Sequence, residues 1–380
     1  MPRAREHVYI VGAGFSHYAG LPLQADFTKA LLEPRDDEEY ALLPLIHHLS
    51  RFVSTAFDHR KSAGATFWPN LEDVFTNIDM AANTGHHLGP DYAPSKLRTT
   101  RRVLLARMMC MLQERLGKAE AKKGPEWVQL NKLFKELDIE NSAFISMNWD
   151  TVIERRLSQV KGLDSIDYRC GAIAGAFPTK STIIVKRRLP AKPEKMPIVK
   201  MHGSVNWLYC DSCRQLYWFR PEDAFSVAMQ LISVKEGEEI GLDDTATCAK
   251  WCCRTCTTVP LTTRIATFSF LKALDFPMFE KSWLSAEALL RHAEKWIFIG
   301  YSLPAADFEF KHLLKRVQLS RAEPPKFIVI TGGPSEATKN TYRNYQGFFG
   351  RGIRREKKGQ EAKSFFSDGL TEDAINVIHV

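Results

Sequence analysis

Two groups of residues in this 380-residue chain have the types and spacing to do chemistry. The first is the stretch "VYIVGAGFSHYAGLP", from Val8 to Pro22. An apolar run breaks into Gly12-Ala13-Gly14, followed by Ser16, Gly20 and Pro22. After a strand, glycines let the backbone turn tightly and approach an anion. The helix beyond offers free N–H groups to a phosphate. Gly12 and Gly14 fit the first two positions of G-x-G-x-x-G, but the third holds His17. No second strand with an acidic residue follows ~20 residues later, as the ordinary dinucleotide fingerprint requires. A nicotinamide-dependent dehydrogenase is thereby disfavoured, and a tight strand–helix turn without a ligand is the plain alternative.

The second group is cysteine. Of eight cysteines, six fall in "YCDSCRQLYW" and "TCAKWCCRTCTT". Cys210-x2-Cys213 and Cys253-x2-Cys256 are spaced as two halves of a tetrahedral zinc site. A closed four-thiolate site leaves no position for water, so the expected role is structural. Cys248 and Cys252 leave the second pair open. Cys110 and Cys170 stand alone among apolar or aromatic neighbours and read as core residues.

Composition bounds what these groups can belong to. Hydrophobic residues make up 44% and charged residues 25%, values of a globular chain. No apolar run reaches the ~18 residues that span a bilayer, so no membrane partner is expected. The N-terminus passes from "MPRAREH" straight into "VYIVGAG", without a signal-peptide core. The expected location is cytoplasmic, where disulfides are not expected. A net charge of +8 is modest for this length. Basic residues thicken at "KRRLPAKPEK" and "RGIRREKKGQ", which read first as solvated loops.

The elements that must position these groups follow from periodicity. Val8–Val11 reads as a strand, with a helix from about Leu23 to Leu32. From there to about Glu140 apolar residues recur at three- and four-residue spacing, which predicts helices, with a loop from Asn83 to Ser95. Buried strands are predicted at "SAFISMNWD", "MPIVKMHGS", "KWIFIGYSL" and "KFIVITGG". Helices are predicted at "TVIERRLSQV", Phe279–Ala293 and "DFEFKHLLKRVQL". Strands alternating with helices indicate a parallel sheet. The predicted fold is α/β. It is one domain over 1–380, with a Rossmann-like core at about 1–32, 141–205 and 264–380. A helical insertion occupies about 33–140, and a small zinc-ribbon-like cysteine module about 206–263.

Four motifs in order add a family resemblance. "GAGFS" with "GLP", then "SMNWD", "KMHGS" and "IGYSLPAAD", together with the cysteine clusters, resemble the sirtuins from Val8 to Asp307. The resemblance implies a modified Rossmann sheet that binds NAD, with Ser16 replacing part of the glycine fingerprint. It implies cofactor contacts from Gly12, Ala13, Gly14, Ser16, Pro22, Asp150, Gly300 and Ser302, and a structural zinc. The deacylase branch carries an arginine shortly after its G-[IL]-P, whereas "LPLQADF" has none. "MNWDTVIE" and "HGSVNW" look like the sirtuin-like NADases of bacterial antiphage defence.

The site residues keep two readings each. Asn148 is a neutral amide that can hold water or a ribose without titrating, or it satisfies backbone groups at a strand end. His202 is a candidate base near neutral pH, or a satisfied core histidine. Asp150 caps the following helix or binds the nicotinamide carboxamide, as the resemblance implies. Ser302 contacts the ribose and phosphates or caps the next helix. The expected activity is NAD+ hydrolysis to ADP-ribose and nicotinamide by Asn148 and His202, in an antiphage effector. The alternatives are an NAD-dependent lysine deacylase and a non-catalytic NAD-binding subunit of a nucleic-acid-associated complex. Expected partners are NAD, further copies of the chain or a regulatory protein, with nucleic acid only through a partner.

Overall fold

The computed structural model describes residues 5–33, 42–57, 68–162, 166–189, 195–263, 277–332, 336–350 and 364–379. The segment "RGIRREKKGQ" and half of "KRRLPAKPEK" lie outside them. Seven strands form one parallel sheet. They are β1 (His7–Val11), β2 (Ser142–Ser146), β3 (Ile166–Asp167), β6 (Met196–Lys200), β9 (Lys295–Ile299), β10 (Lys326–Ile330) and β11 (Ser364–Ser367). Their order across the sheet is β11-β10-β9-β1-β2-β6-β3. The inner strands are buried on both faces, which is why they read as unbroken apolar runs.

Strand β1 is the switch point. It pairs with β2 on one side and β9 on the other, so the chain builds one half of the sheet before it starts the other. The register aligns Val11 with Ser146 and with Ile299, Ser146 with Lys200, and Ile299 with Ile330. The residues just after these ends are Gly12, Met147, Met201, Gly300 and Thr331, and they meet along one rim. In open parallel sheets a ligand crevice lies at this place.

Helices cover both faces. On one face α10 (Pro277–His292), α11 (Phe308–Ser320) and α12 (Glu336–Phe349) bury a cluster around Trp296, Phe298 and Tyr345. On the other, a larger core joins the sheet to the inserted helices. These are α3 (Leu43–Ala56), α4 (Leu71–Thr84), α5 (Pro94–Lys122) and α6 (Pro125–Glu136), after the short α1 (Ala13–His17) and α2 (Gln24–Leu32). Helix α5 starts with proline at its first turn, and α4 ends on left-handed Gly85. The predicted loop between them is therefore real, but shorter than Asn83–Ser95. Helix α7 (Val152–Lys161) follows β2, and α13 (Glu372–His379) follows β11.

A second sheet carries the cysteines. Strands β7 (Trp207–Tyr209) and β8 (Leu216–Trp218) form a hairpin. Strands β4 (Ile173–Ala176) and β5 (Val185–Lys186) join it from before β6. The order is β5-β4-β8-β7. The module thus draws on residues that the sequence reading placed in the core. Helices α8 (Ala224–Met229) and α9 (Val234–Ile240) complete it, with α8 packed on α5.

Candidate active site

A cavity of about 460 Å³ opens on the rim of the large sheet. Gly12–Gly14, Met147–Trp149, His202, Gly300–Ser302, Asp307 and Thr331 line it from the strand ends. Gln24 of α2 and Glu72 of the inserted α4 also line it. A smaller chamber of about 80 Å³ shares Ala13, Gln24, Met147, Asn148 and Trp149. It adds Ser16, Pro22, Phe27, Leu112 and Asp150. The sequence-predicted residues therefore divide. Gly12, Gly14, His202, Gly300 and Ser302 face the large chamber, Ser16, Pro22 and Asp150 the small one, and Ala13 and Asn148 border both.

The glycine turn is explained by packing. The Gly12 and Gly14 N–H groups donate to the carbonyls of Ile299 (3.2 Å) and Gly300 (2.9 Å). A Cβ at Gly14 would lie 2.7 Å from the Gly300 Cα. Gly300 is left-handed (φ +61°), and a Cβ there would collide with the Phe15 amide. Two backbone turns interlock, so both glycines are required even without a ligand. The N–H groups of Gly12 and Gly14 are thus engaged inside the protein.

Asn148 has one open atom. Its Nδ2 donates to the Gly12 carbonyl and to Ser16 Oγ, each at 2.7 Å. A carbonyl only accepts, so this fixes the amide orientation. Both amide protons are used, and Oδ1 is left to accept from a ligand. Ser16 Oγ passes its own proton to Asp150 Oδ2 (2.6 Å), and Asp150 Oδ1 accepts from the Val152 N–H (3.0 Å). Asp150 thus stabilises the first turn of α7 while bordering the small chamber. Ser302 does not cap a helix, because α11 begins at Phe308 with Asp307 in the cap position.

His202 sits just past β6. Its Nδ1 lies 3.2 Å from the Met147 carbonyl, so Nδ1 donates there, and whenever the ring is neutral its lone pair is on Nε2. Two residues earlier, Lys200 is buried. Its Nζ is 3.2 Å from Glu154 Oε1 and also donates to the Asp150 carbonyl. Glu154 Oε1 accepts from Tyr168 Oη (2.9 Å), and Tyr168 accepts from Asn206, which also donates to the Phe219 carbonyl beyond β8. This polar chain ties the β2–α7 turn to β6 and to the cysteine module.

The cysteine sulfurs of Cys210, Cys213, Cys253 and Cys256 all lie within 4.8 Å of one another, with Cys213 and Cys253 at 3.5 Å. Tetrahedral zinc with bonds of ~2.3 Å spaces its sulfurs by ~3.8 Å, so the donor set fits such an ion. Cys248 and Cys252 stand outside the cluster. Cys252 instead bridges to Ile183 and Pro260. Burial raises the Cys253 thiol, but hydrogen bonds from Tyr217, from the Cys256 and Thr255 backbone and from Cys213 outweigh it, leaving it lowered to about 7.

No protein-family model matches the chain, and no curated protein does. Solved Sir2 structures are similar to it over nearly its whole length. One is Sir2 with the inhibitor EX-527, 2'-O-acetyl-ADP-ribose and deacetylated p53 peptide. It is 14% identical over 99% of this chain and 94% of that one, at a TM-score of 0.33. Another is a Sir2 variant with deacetylated p53 peptide and 3'-O-acetyl ADP-ribose, 14% identical over 99% and 93%, at 0.37. A third is Sir2 with p53 peptide and NAD+, at 14%, 99%, 93% and 0.33 in the same order.

The sequence reading missed several lining residues. Glu72 and Leu112 arrive from the inserted helices α4 and α5, and Gln24 from the start of α2, and nothing local marks them. Asp307 carried a signal, but it read as part of a motif and a helix start. Among the described residues, no helix is long and apolar enough to cross a membrane.

Proposed function

We propose that the protein hydrolyses NAD+ at the bond between nicotinamide and ribose. The observation that carries this reading is the meeting of two chambers along a shared wall that includes Asn148, with His202 in the larger. The large chamber has the volume of a small-molecule site and takes the ADP-ribose portion, with the phosphates toward the Gly12–Gly14 turn and Ser302. The small chamber, walled by Phe27 and Trp149, takes the nicotinamide ring, with Asp150 and Pro22 at its edge.

The chemistry needs orientation more than covalent help. The C1'–nitrogen bond breaks, and its electron pair neutralises the pyridinium ring. Asn148 Oδ1 accepts a hydrogen bond from the incoming water or the ribose. Water adds to C1', and its proton passes to His202 Nε2 before release to solvent. Hydrolysis rather than deacylation is supported by "LPLQADF", which offers Gln24 and Asp26 where the resemblance would require arginine for a deacylase. Gln24 borders both chambers. The cysteine cluster holds zinc as a structural ion. An antiphage role in the cytoplasm, restrained by a partner protein or by assembly of copies, follows from the resemblance alone.

The deciding experiment incubates purified protein with NAD+ alone. Release of nicotinamide and ADP-ribose supports the reading. Turnover only with an acylated peptide would replace it with the deacylase, and binding without turnover would replace it with the non-catalytic subunit.

A further inference from the structure

The large chamber is short of positive charge. Among the described residues that line it there is no lysine and no arginine, while Glu72 and Asp307 bring carboxylates. The pyrophosphate of a dinucleotide carries a negative charge on each phosphate. The Gly12 and Gly14 N–H groups donate to the Ile299 and Gly300 carbonyls, so the glycine turn does not offer these two donors to an anion. A cation has to come from a histidine.

Two imidazoles line the chamber, at different distances from that turn. His202 follows β6, which stands two strands away from β1, roughly 10 Å across the sheet. His17 lies on α1 itself, three residues after Gly14. Ala13, Gly14 and His17 line the chamber and share one face of α1, while Phe15 and Ser16 are buried. The Cα–Cβ bond of a helical residue leans toward the helix start, and at His17 it leans over Gly14, which has no side chain to block it.

His17 is fixed at one nitrogen. Its Nδ1 lies 3.1 Å from the Leu21 carbonyl. A carbonyl only accepts, so Nδ1 donates there, and whenever the ring is neutral its lone pair is on Nε2. That bond is the one side-chain hydrogen bond His17 makes among the described residues. A neutral ring therefore offers an acceptor to a phosphate oxygen, which is itself an acceptor. With a proton on Nε2 the ring becomes a charged donor, and the contact becomes a charge-assisted hydrogen bond.

We propose that His17 holds the pyrophosphate of NAD+ through Nε2 and takes up a proton as it does so, which makes dinucleotide binding tighten as pH falls. This rests on the reading that puts ADP-ribose in the large chamber. The residue that breaks the G-x-G-x-x-G pattern is then the one that brings the charge. No bond of the ligand changes at His17, so its part is binding. The other ionisable groups around it are Glu72, His202 and Asp307 in the chamber, Asp26 on α2, Asp73 on α4, Glu126 on α6 and Asp150, which is bound to Ser16 and Val152. On α5, whose Ala119 packs on Gly20, Lys118 pairs with Glu114 and Glu120 with Arg155. All of them stay in place in the variants at position 17 and contribute to each titration alike.

The test titrates ADP-ribose into the full chain by calorimetry. This ligand carries the pyrophosphate without the scissile bond, and neither of its phosphates has a second proton to lose near neutral pH. Wild-type affinity should rise ~10-fold from about pH 8 to about pH 6. Between these values binding should take up a proton, seen as a heat that varies with the ionisation enthalpy of the buffer. His17→Ala should lose the pH dependence and bind at least ~10-fold more weakly at about pH 6. His17→Lys, a cation that needs no proton uptake, should bind tightly at both pH values. Both changes fall on an exposed side chain, so the variants should fold. An unchanged pH dependence in His17→Ala, its loss in His202→Ala, or a wild type that does not bind ADP-ribose would overturn the proposal. The hydrolase reading fails separately, as wild-type protein that binds NAD+ but releases no nicotinamide.

Discussion

Lys200 Nζ and Glu154 Oε1 lie 3.2 Å apart with both side chains only 1% exposed. Lys200 stands two residues before His202. Through the Asp150 carbonyl it also holds the turn that begins at Asn148. A buried pair gains little over an apolar pair of the same shape, but removing one partner strands the other charge. Lys200→Met is therefore expected to destabilise the fold by about 3–5 kcal/mol in chemical denaturation. The double variant Lys200→Met with Glu154→Leu should recover most of that loss. Equal stabilities for the single and double variants would show that the pair does not act as a unit.

The second expectation concerns the two site residues proposed to act on NAD+. Asn148→Ala removes the amide that bridges Gly12 and Ser16 and leaves Oδ1's place empty. His202→Ala removes the lone pair on Nε2. Each should lower nicotinamide release ~10²–10⁴-fold, with far smaller changes in melting temperature. Near-wild-type turnover in either folded variant would remove that residue from the mechanism.

The glycines separate packing from binding. Gly300→Ala forces a left-handed residue to carry a Cβ into the Phe15 amide, and Gly14→Ala places one 2.7 Å from the Gly300 Cα. Both should fold poorly, losing a few kcal/mol. Gly332 lines the same cavity, yet a Cβ there meets nothing within 4 Å. Gly332→Ala should therefore keep the wild-type melting temperature. If Gly14→Ala melted like wild type, the interlocked turns would not explain the glycine run.

How much of this was legible in the sequence follows from what is local. The glycine run, the cysteine pairs and the buried strands are short-range signals, and each fell on a strand end or knuckle. The meeting of Asn148 with Gly12 and Ser16 is set by the β1–β2 register, which no single segment encodes. Leu112 and Glu72 reach the cavity from inserted helices whose docking is a tertiary matter. Strand β4 joins the cysteine sheet because β8 offers it an edge, and β5 because β4 then offers the next one, not because their own residues say so. Asp307 was hidden by resembling an ordinary helix cap.

Acid should weaken the fold through His48. Its Nε2 lies 3.1 Å from Thr100 Oγ1, and that hydroxyl donates to the Lys96 carbonyl. The hydroxyl oxygen therefore accepts from a neutral ring. Burial, with Lys96 and Arg51 nearby, lowers His48 to about 4 from 6.5. The unfolded chain binds this proton from about pH 6.5 downward and the folded chain only near 4. Stability from this group is full above 6.5 and is lost between 6.5 and 4. Urea midpoints should fall on acidification through that window, and His48→Gln should flatten the fall. An identical pH slope in His48→Gln would assign the acid sensitivity to other groups.

The last expectation concerns the four thiolates. A structural ion contributes folding free energy directly, because its ligands are not assembled in the unfolded chain. In this protein the module is joined to the site by short links. The Val205 N–H donates to the Trp149 carbonyl at 2.9 Å, Ser204 Oγ donates to the same oxygen at 3.2 Å, and β7 runs from there into Cys210. Metal loss should therefore loosen the strand end that carries His202 as well as the module. Cys253→Ser is expected to lose the ion and lower the melting temperature, with nicotinamide release falling as a consequence. Cys252→Ser and Cys248→Ser, outside the cluster, should keep the metal. Elemental analysis of the purified chain and melting curves with and without a chelator check this. A metal-free preparation with full stability would mean that hydrogen bonds such as Tyr217 Oη with Cys253 Sγ, 3.4 Å apart, hold the knuckles without an ion.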